Sequence, residues 1–340
     1  MKWYLETGPE GDVVVSTRIR LARNIAEFPF LSRMSEDQFE TVNKKVKDAL
    51  YSANSTASND FEFYEMEKLT PARAMSLAER HLISPQFAKD KKGRALLLSK
   101  DDSVSIMLNE EDHIRIQTLL PGMQLQEALI QANSIDDLLD EKLHYAFDEN
   151  IGYLTCCPTN LGTGLRASLM LHLPATVQAG ALLSLENAIS KLGLTIRGTF
   201  GEGSKAKGAF YQVSNQITLG ITEAEAVENL NTIAQQIISQ ERIIRESFKN
   251  KSLLLEDKIY RSHGLLKSAR LLSADEFMEL ISDLRLGVTM GIINDISIET
   301  INSLINEMQP ATLVASAGRK LNAQSRDELR ALKIREVLAM

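Results

Sequence analysis

The chain has 340 residues, 44% of them hydrophobic, and a formal charge of −7, which leaves room for one large or two ordinary domains with a real apolar core. The acidic balance disfavours a general nucleic-acid binder and suits a positively charged partner. No apolar run is long enough to span a membrane, the start Met1-Lys2-Trp3-Tyr4-Leu5-Glu6 lacks a secretory pattern, and adjacent Cys156 and Cys157 suit neither a structural disulfide nor a metal cluster, so a cytoplasmic location is expected.

Short apolar or alternating runs predict strands over 12–20, 94–98, 104–108 and 113–119, then over 152–155, 165–173, 194–197 and 209–213. Helical periodicity covers 124–145 and 177–192. Strands in runs, rather than in strict alternation with helices, point to an α+β fold: a mostly antiparallel sheet flanked by helices. From residue 222 the pattern becomes long helices over 223–248, 274–286, 298–308 and 326–338, broken in places by Gly or Pro. The expected division is therefore 1–250, mixed, and 251–340, all helical.

Four segments carry ionisable chemistry. In Ser16-Thr17-Arg18-Ile19-Arg20, a strand sets Ser16, Arg18 and Arg20 on one face. Two guanidinium groups on one surface repel unless an anion lies between them, and their planar forks match phosphate oxygens; a solvated edge strand is the alternative. Asn109-Glu110-Glu111-Asp112-His113-Ile114-Arg115 sets three carboxylates beside an imidazole and an arginine at a strand end. Such clusters are costly and frequent where shifted protonation is used, though acidic loops are also common. Cys157-Pro158-Thr159-Asn160-Leu161-Gly162-Thr163-Gly164-Leu165-Arg166 is a glycine-bearing turn without the Gly-Lys-Ser/Thr of a Walker loop, and its cysteine could serve packing alone. Arg197-Gly198-Thr199-Phe200-Gly201-Glu202-Gly203 again joins an arginine and a carboxylate, or forms a plain strand-exit loop.

Together and in this order, these segments resemble the signature blocks of the phosphagen (guanidino) kinase family, over about residues 13–227. The resemblance implies ATP and Mg²⁺, the metal held through the ATP phosphates and not by the chain. It implies that Ser16, Arg18, Arg20, Arg115, Arg166 and Arg197 bind the nucleotide, and that Glu111, Glu202 and Cys157 act on a guanidinium acceptor. Where creatine and arginine kinases usually carry a histidine near the nucleotide this chain has Met170; His81 is a substitute candidate, or an ordinary helix residue.

The small-molecule kinases of the family carry a helical domain before the Ser-Thr-Arg strand, whereas fifteen residues precede Ser16 here; an acceptor site open to something larger is expected. With the helical tail, this resembles a bacterial branch of the family that phosphorylates arginine side chains in proteins and marks them for degradation. That branch implies protein substrates with exposed arginines, an activator protein, a protease or chaperone system, a homodimer and a stress role. Arg326-Asp327-Glu328-Leu329-Arg330-Ala331 is similar to its allosteric phosphoarginine-binding motif, with Arg326, Asp327, Arg330 and Ala331 as the matching residues; an i,i+3 ion pair is the alternative. The competing functions are a small-molecule phosphagen kinase and a catalytically silent phosphoarginine-binding regulator.

Overall fold

The computed structural model describes residues 2–52, 60–198, 207–248 and 252–339. Its strands are β1 (Val14–Arg23), β2 (Phe61–Glu65), β3 (Ala95–Ser99), β4 (Val104–Leu108), β5 (Ile114–Pro121), the short hairpin β6 (Phe147–Asp148) and β7 (Gly152–Tyr153), then β8 (Leu165–His172), β9 (Leu194–Gly198) and β10 (Phe210–Asn215). Eight of them form one sheet in the order β2-β3-β4-β5-β1-β8-β10-β9, every pairing antiparallel. This is the expected α+β architecture, with β1 near its centre.

The alternation of β1 decides which face of the sheet is wet. Thr17, Ile19 and Leu21 are fully buried on one face, where two amphipathic helices, α4 (Leu125–Leu143) and α7 (Glu223–Phe248), pack against the sheet and α1 (Glu36–Ser52) packs on α4. Their buried residues recur at helical spacing, Ala128, Ala132, Ile135 and Leu139 on α4 and Ala226, Leu230, Ile233 and Ile237 on α7. Ser16, Arg18 and Arg20 take the opposite face.

The sequence reading leaves 21–93 without elements, yet this stretch holds α1, β2, α2 (Pro71–Glu79) and α3 (Pro85–Lys89). Both short helices open on a hydroxyl cap followed by proline: Thr70 accepts from Arg73 N, and Ser84 from Phe87 N. The single helix expected over 177–192 is two, α5 (Pro174–Gln178) and α6 (Leu182–Ser190). Gly180, at φ +69, turns the chain between them into a conformation that residues with a Cβ resist.

The C-terminal part is helical as expected: α8 (Ser252–Ser268), α9 (Ala274–Thr289), α10 (Ile298–Glu307), α11 (Pro310–Ala317) and α12 (Ala323–Leu338). It has its own core, around Ile259, Phe277, Ile281, Leu284, Ile301 and Ile334, which also takes in Phe210 of β10 and packs Val15 and Met170 of the sheet. A second tie runs to α2. The Glu79 carboxylate accepts from Ala311 N, Thr312 N and Thr312 Oγ1 at 2.8–3.0 Å, capping α11 from the end of α2. Among the described residues no helix is long and apolar enough to cross a membrane.

Candidate active site

On the open face of the sheet the antiparallel register sets arginines from separate strands side by side. Arg20 faces Arg166 across β1 and β8, Arg115 of β5 faces Ala22, and Arg197 of β9 faces Gln212. The result is a cavity of about 340 Å³ lined by Arg18, Arg20, Arg115, Arg166 and Arg197, together with Glu111, Cys157 and His81. Ser16 lies just beyond, in a recess that shares Arg18, His81 and Gln212 with the main cavity. Glu202 lies outside the described residues. Arg326, Asp327, Arg330 and Ala331 sit on α12 and are not among the residues lining the cavity.

Polar neighbours aim the guanidinium groups. Arg18 Nη2 donates to Gln212 Oε1 at 2.5 Å and Nε to Ser168 Oγ at 3.5 Å, and Arg166 Nη2 donates to Ser214 Oγ at 3.3 Å. Arg115 pairs with the Glu110 carboxylate, which also accepts from Ser84 Oγ at 2.6 Å. Arg20 has no hydrogen-bond partner among the described residues, and its Nε is buried. Burial pulls Arg18 and Arg20 below the usual guanidinium range, and the charges of Arg115 and Arg166 pull the same way, with Arg18 adding to the effect on Arg20. Arginine stays protonated in proteins, so this direction expresses repulsion that an enclosed polyanion would relieve. For Glu110, burial pushes the carboxyl up, but Arg115 and the Ser84 hydroxyl outweigh it and hold the group below its usual range.

The carboxylate segment and the cysteine segment are clasped together by residues that the sequence reading did not single out. Asn24, 2% exposed at the end of β1, donates to Asp112 Oδ1 at 2.6 Å and to the Leu154 carbonyl at 3.0 Å. Its own oxygen accepts from His113 N at 2.9 Å. Asp112 Oδ1 also accepts from Cys156 N at 2.7 Å, so one buried carboxylate fixes the loop that carries Cys157 against the loop that carries Glu111. Burial raises the Asp112 carboxyl above its ordinary range. The imidazole counted with this cluster proves to be a packing group. His113 is fully buried, its Nδ1 accepts from Ile25 N at 3.0 Å, and its Nε2 donates to the Pro29 carbonyl at 2.9 Å.

Beneath the cavity Arg23 is a buried cation. It donates to Asp136 Oδ2 from Nε and Nη2 at 2.9 and 2.7 Å and to the Ala22 and Thr163 carbonyls from Nη1, and it lies 3.5 Å from the centre of the Tyr153 ring. Gly164, at φ +62, lets the 157–164 loop close onto it: a Cβ there would sit 2.6 Å from the Ala22 carbonyl oxygen and 2.7 Å from Arg23 Nη1. Cys157 Sγ lies 3.1 Å from Thr159 Oγ1 on this loop, and both cysteines are free thiols.

Comparison with known proteins joins this geometry to a family. Residues 41–244 match the model of the ATP:guanido phosphotransferase C-terminal catalytic domain, and residues 252–340 match that of the protein-arginine kinase McsB C-terminal domain. The protein-arginine kinase of Caldanaerobacter subterraneus subsp. tengcongensis is 46% identical over 321 residues, covering 94% of this chain and 95% of that protein. The chain belongs to the protein-arginine kinases of the ATP:guanido phosphotransferase family. The protein-arginine kinase of Geobacillus stearothermophilus is 45% identical over 339 residues, covering 99% of this chain and 93% of that protein.

Solved guanido phosphotransferases share the fold. The duplicated taurocyamine kinase of Schistosoma mansoni, whose structure holds transition-state-analogue components, superposes with a TM-score of 0.62 at 26% identity over 69% of this chain; the match spans 34% of that longer protein. A lombricine kinase gives 0.62 at 24% identity over 71% of this chain and 69% of its own. Within the family match, the clasp residue Asn24 precedes residue 41 and escapes the catalytic-domain model altogether. The one sequence signal for it is its place directly after the Arg-rich strand.

Proposed function

We propose that this chain transfers the γ-phosphoryl group of ATP to the guanidinium group of arginine side chains in proteins. The observation that carries the reading is the cavity in which five arginines from four strands meet Glu111 and Cys157. Phosphoryl transfer needs positioning and charge stabilisation above all. Planar forks from Arg18, Arg20, Arg115, Arg166 and Arg197 would hold the phosphates in line and neutralise charge on the moving group, with Ser16 and His81 toward the nucleoside. Among the described residues the cavity sets one carboxylate, Glu111, beside those guanidinium groups. That donor set fits a magnesium ion brought in on the phosphates rather than one held by the chain.

The acceptor is a cation with a pKa above about 12 and has no free lone pair until it loses a proton. Glu111 would grip it and take that proton as the N–P bond forms and the bond from Pγ to the bridging oxygen breaks, its electron pair leaving with ADP. Cys157 would border the acceptor, and Glu202 would supply a second carboxylate. Mass spectrometry under non-acidic conditions, after incubation with ATP, Mg²⁺ and an arginine-rich protein, tests the reading. Acid-labile phosphate on protein arginine supports it; label on free arginine or creatine alone would replace it with a small-molecule phosphagen kinase, and no label at all with a silent regulator.

The division into 1–250 and 251–340 is supported by the core of the C-terminal helices, whose buried members all lie beyond residue 250 except Phe210, and a homodimer by the exposed Leu253, Leu254, Tyr260 and Leu265 along α8. A cytoplasmic site of action, an activator protein and the marking of targets for a protease or chaperone system follow from the family resemblance. The phosphoarginine site on α12 has a specific test. Arg330, 1% exposed, donates to the Met308 and Leu272 carbonyls and to Asp327, so removing it would also loosen the helical core. Arg326→Ala avoids that: basal transfer is expected to persist while activation by added phosphoarginine flattens, and full activation in that variant would remove the site.

A further inference from the structure

The chain's two cysteines, Cys156 and Cys157, are adjacent free thiols on the loop that borders the arginine cavity. Cys156 is exposed, whereas Cys157 is half-buried and lines the cavity together with Glu111. The backbone that carries them is pinned on both sides. Cys156 N donates to Asp112 Oδ1 at 2.7 Å, and Thr155 Oγ1 donates to the Cys157 carbonyl at 2.9 Å. Two sulfurs on fixed neighbouring residues therefore stand at the edge of the cavity, and phosphoryl transfer would use only the second.

The chemistry open to this pair is narrow. Adjacent Cα atoms stand about 3.8 Å apart across a trans peptide, below the roughly 4.4–6.8 Å of an ordinary disulfide, so a direct bond between the sulfurs would strain the peptide that joins them. Among the described residues no group of three or more histidine, cysteine, aspartate or glutamate side chains could hold a metal ion, and zinc asks for more donors than two sulfurs. Burial, then the carboxylates of Asp112 and Glu111 and the neighbouring Cys157, push the Cys156 thiol up. It therefore stays protonated at neutral pH and reacts slowly with reagents that need a thiolate. A trivalent arsenical meets all of these conditions. It takes two sulfurs, sets an arsenic atom between them so that the ring closed through the peptide is wider than in a disulfide, and carries off both thiol protons as water.

We propose that Cys156 and Cys157 form a dithiol site for one trivalent arsenical, and that its capture shuts the acceptor side of the cavity. With phenylarsine oxide, the As=O unit and two S–H groups become two As–S bonds and one water; arsenic stays trivalent, and nothing is oxidised or reduced. Cys157 shares the cavity wall with Glu111, so the bulk of the adduct arrives where the guanidinium would enter, and the arginines on the strands are left unmodified. The closure rests on the reading of Glu111 and Cys157 as the acceptor end of the cavity, whereas the capture does not.

Intact-mass spectrometry of the reduced full chain titrated with phenylarsine oxide, with thiol counting and transfer assays alongside, tests both parts. One adduct per chain with loss of both thiols is expected, released by 2,3-dimercaptopropanol and resistant to 2-mercaptoethanol. Cys156→Ser should keep its turnover and its backbone bond to Asp112, yet hold the arsenical about 10²- to 10⁴-fold more weakly, the gain that comes from joining two attachments on one frame. In the parent protein capture should cut transfer by about 10²-fold, as misplacement of an acceptor does, and leave ADP affinity unchanged. No adduct, two adducts per chain, an adduct that 2-mercaptoethanol removes, or equal binding by the parent and Cys156→Ser overturns the site. A single chelated adduct with undiminished transfer overturns the closure. Absence of phosphoarginine from the untreated protein overturns instead the reading of the cavity, and the mass and thiol counts still decide the site.

Discussion

Turnover of Glu111→Gln is expected to fall by about 10²- to 10⁴-fold, while nucleotide affinity stays within about threefold. Glutamine keeps the size and one acceptor oxygen of the side chain, so the acceptor could still be approached; what it lacks is the negative charge and the capacity to take a proton. The nucleotide should be little affected, because on the proposed reading the groups that would face the phosphates are the guanidinium forks of the neighbouring strands. Rapid-quench measurement of phosphoarginine formed per turnover, alongside equilibrium binding of ADP, separates the two effects. Unchanged turnover would exclude Glu111 from proton transfer, and a parallel loss of ADP binding would make it a structural group.

Arg23→Leu is expected to lower the free energy of unfolding by about 3–5 kcal/mol, the usual consequence of leaving one partner of a buried ion pair alone. Asp136 would keep a buried carboxylate whose burial already raises it above the ordinary range and which Arg23 now offsets in part. The Thr163 and Ala22 carbonyls would lose their donor, and Tyr153 its cation. Adding Asp136→Leu should recover part of the loss, since a matched apolar pair leaves no unpaired charge. Urea unfolding of the single and double variants measures both. A double variant less stable than Arg23→Leu by the full cost of a second independent substitution would show that the two residues are not coupled.

What could be read in the sequence was what depends on period and local order. The alternation in Ser16-Thr17-Arg18-Ile19-Arg20 placed both arginines on one face, and the register of β1 against β5 and β8 bears this out. The helix over 223–248 was legible to the residue, because its apolar spacing is uninterrupted. The strand β2 and the helices α1 to α3 were not read, although the caps at Thr70 and Ser84 were visible signals. The site was legible only as strings. That Arg20 and Arg166 stand opposite one another follows from a pairing between residues 146 positions apart, which no local pattern carries. Asn24 escaped for the same reason: its partners Asp112 and Leu154 come from distant loops. His113 shows the reverse error, since its position in an acidic cluster suggested chemistry and its hydrogen bonds reveal packing.

The junction between the sheet and the tail bears on how this protein can be taken apart. A fragment ending near residue 248 would bare Phe210, Val15 and Met170, which now pack on the helical core, and would leave the Glu79 carboxylate with no helix to cap. Apolar surface newly opened beside a cationic cleft invites self-association. Isolated pieces are therefore expected to precipitate or cling to one another, and a low yield of the excised N-terminal part would reflect a torn seam before any defect in its own folding.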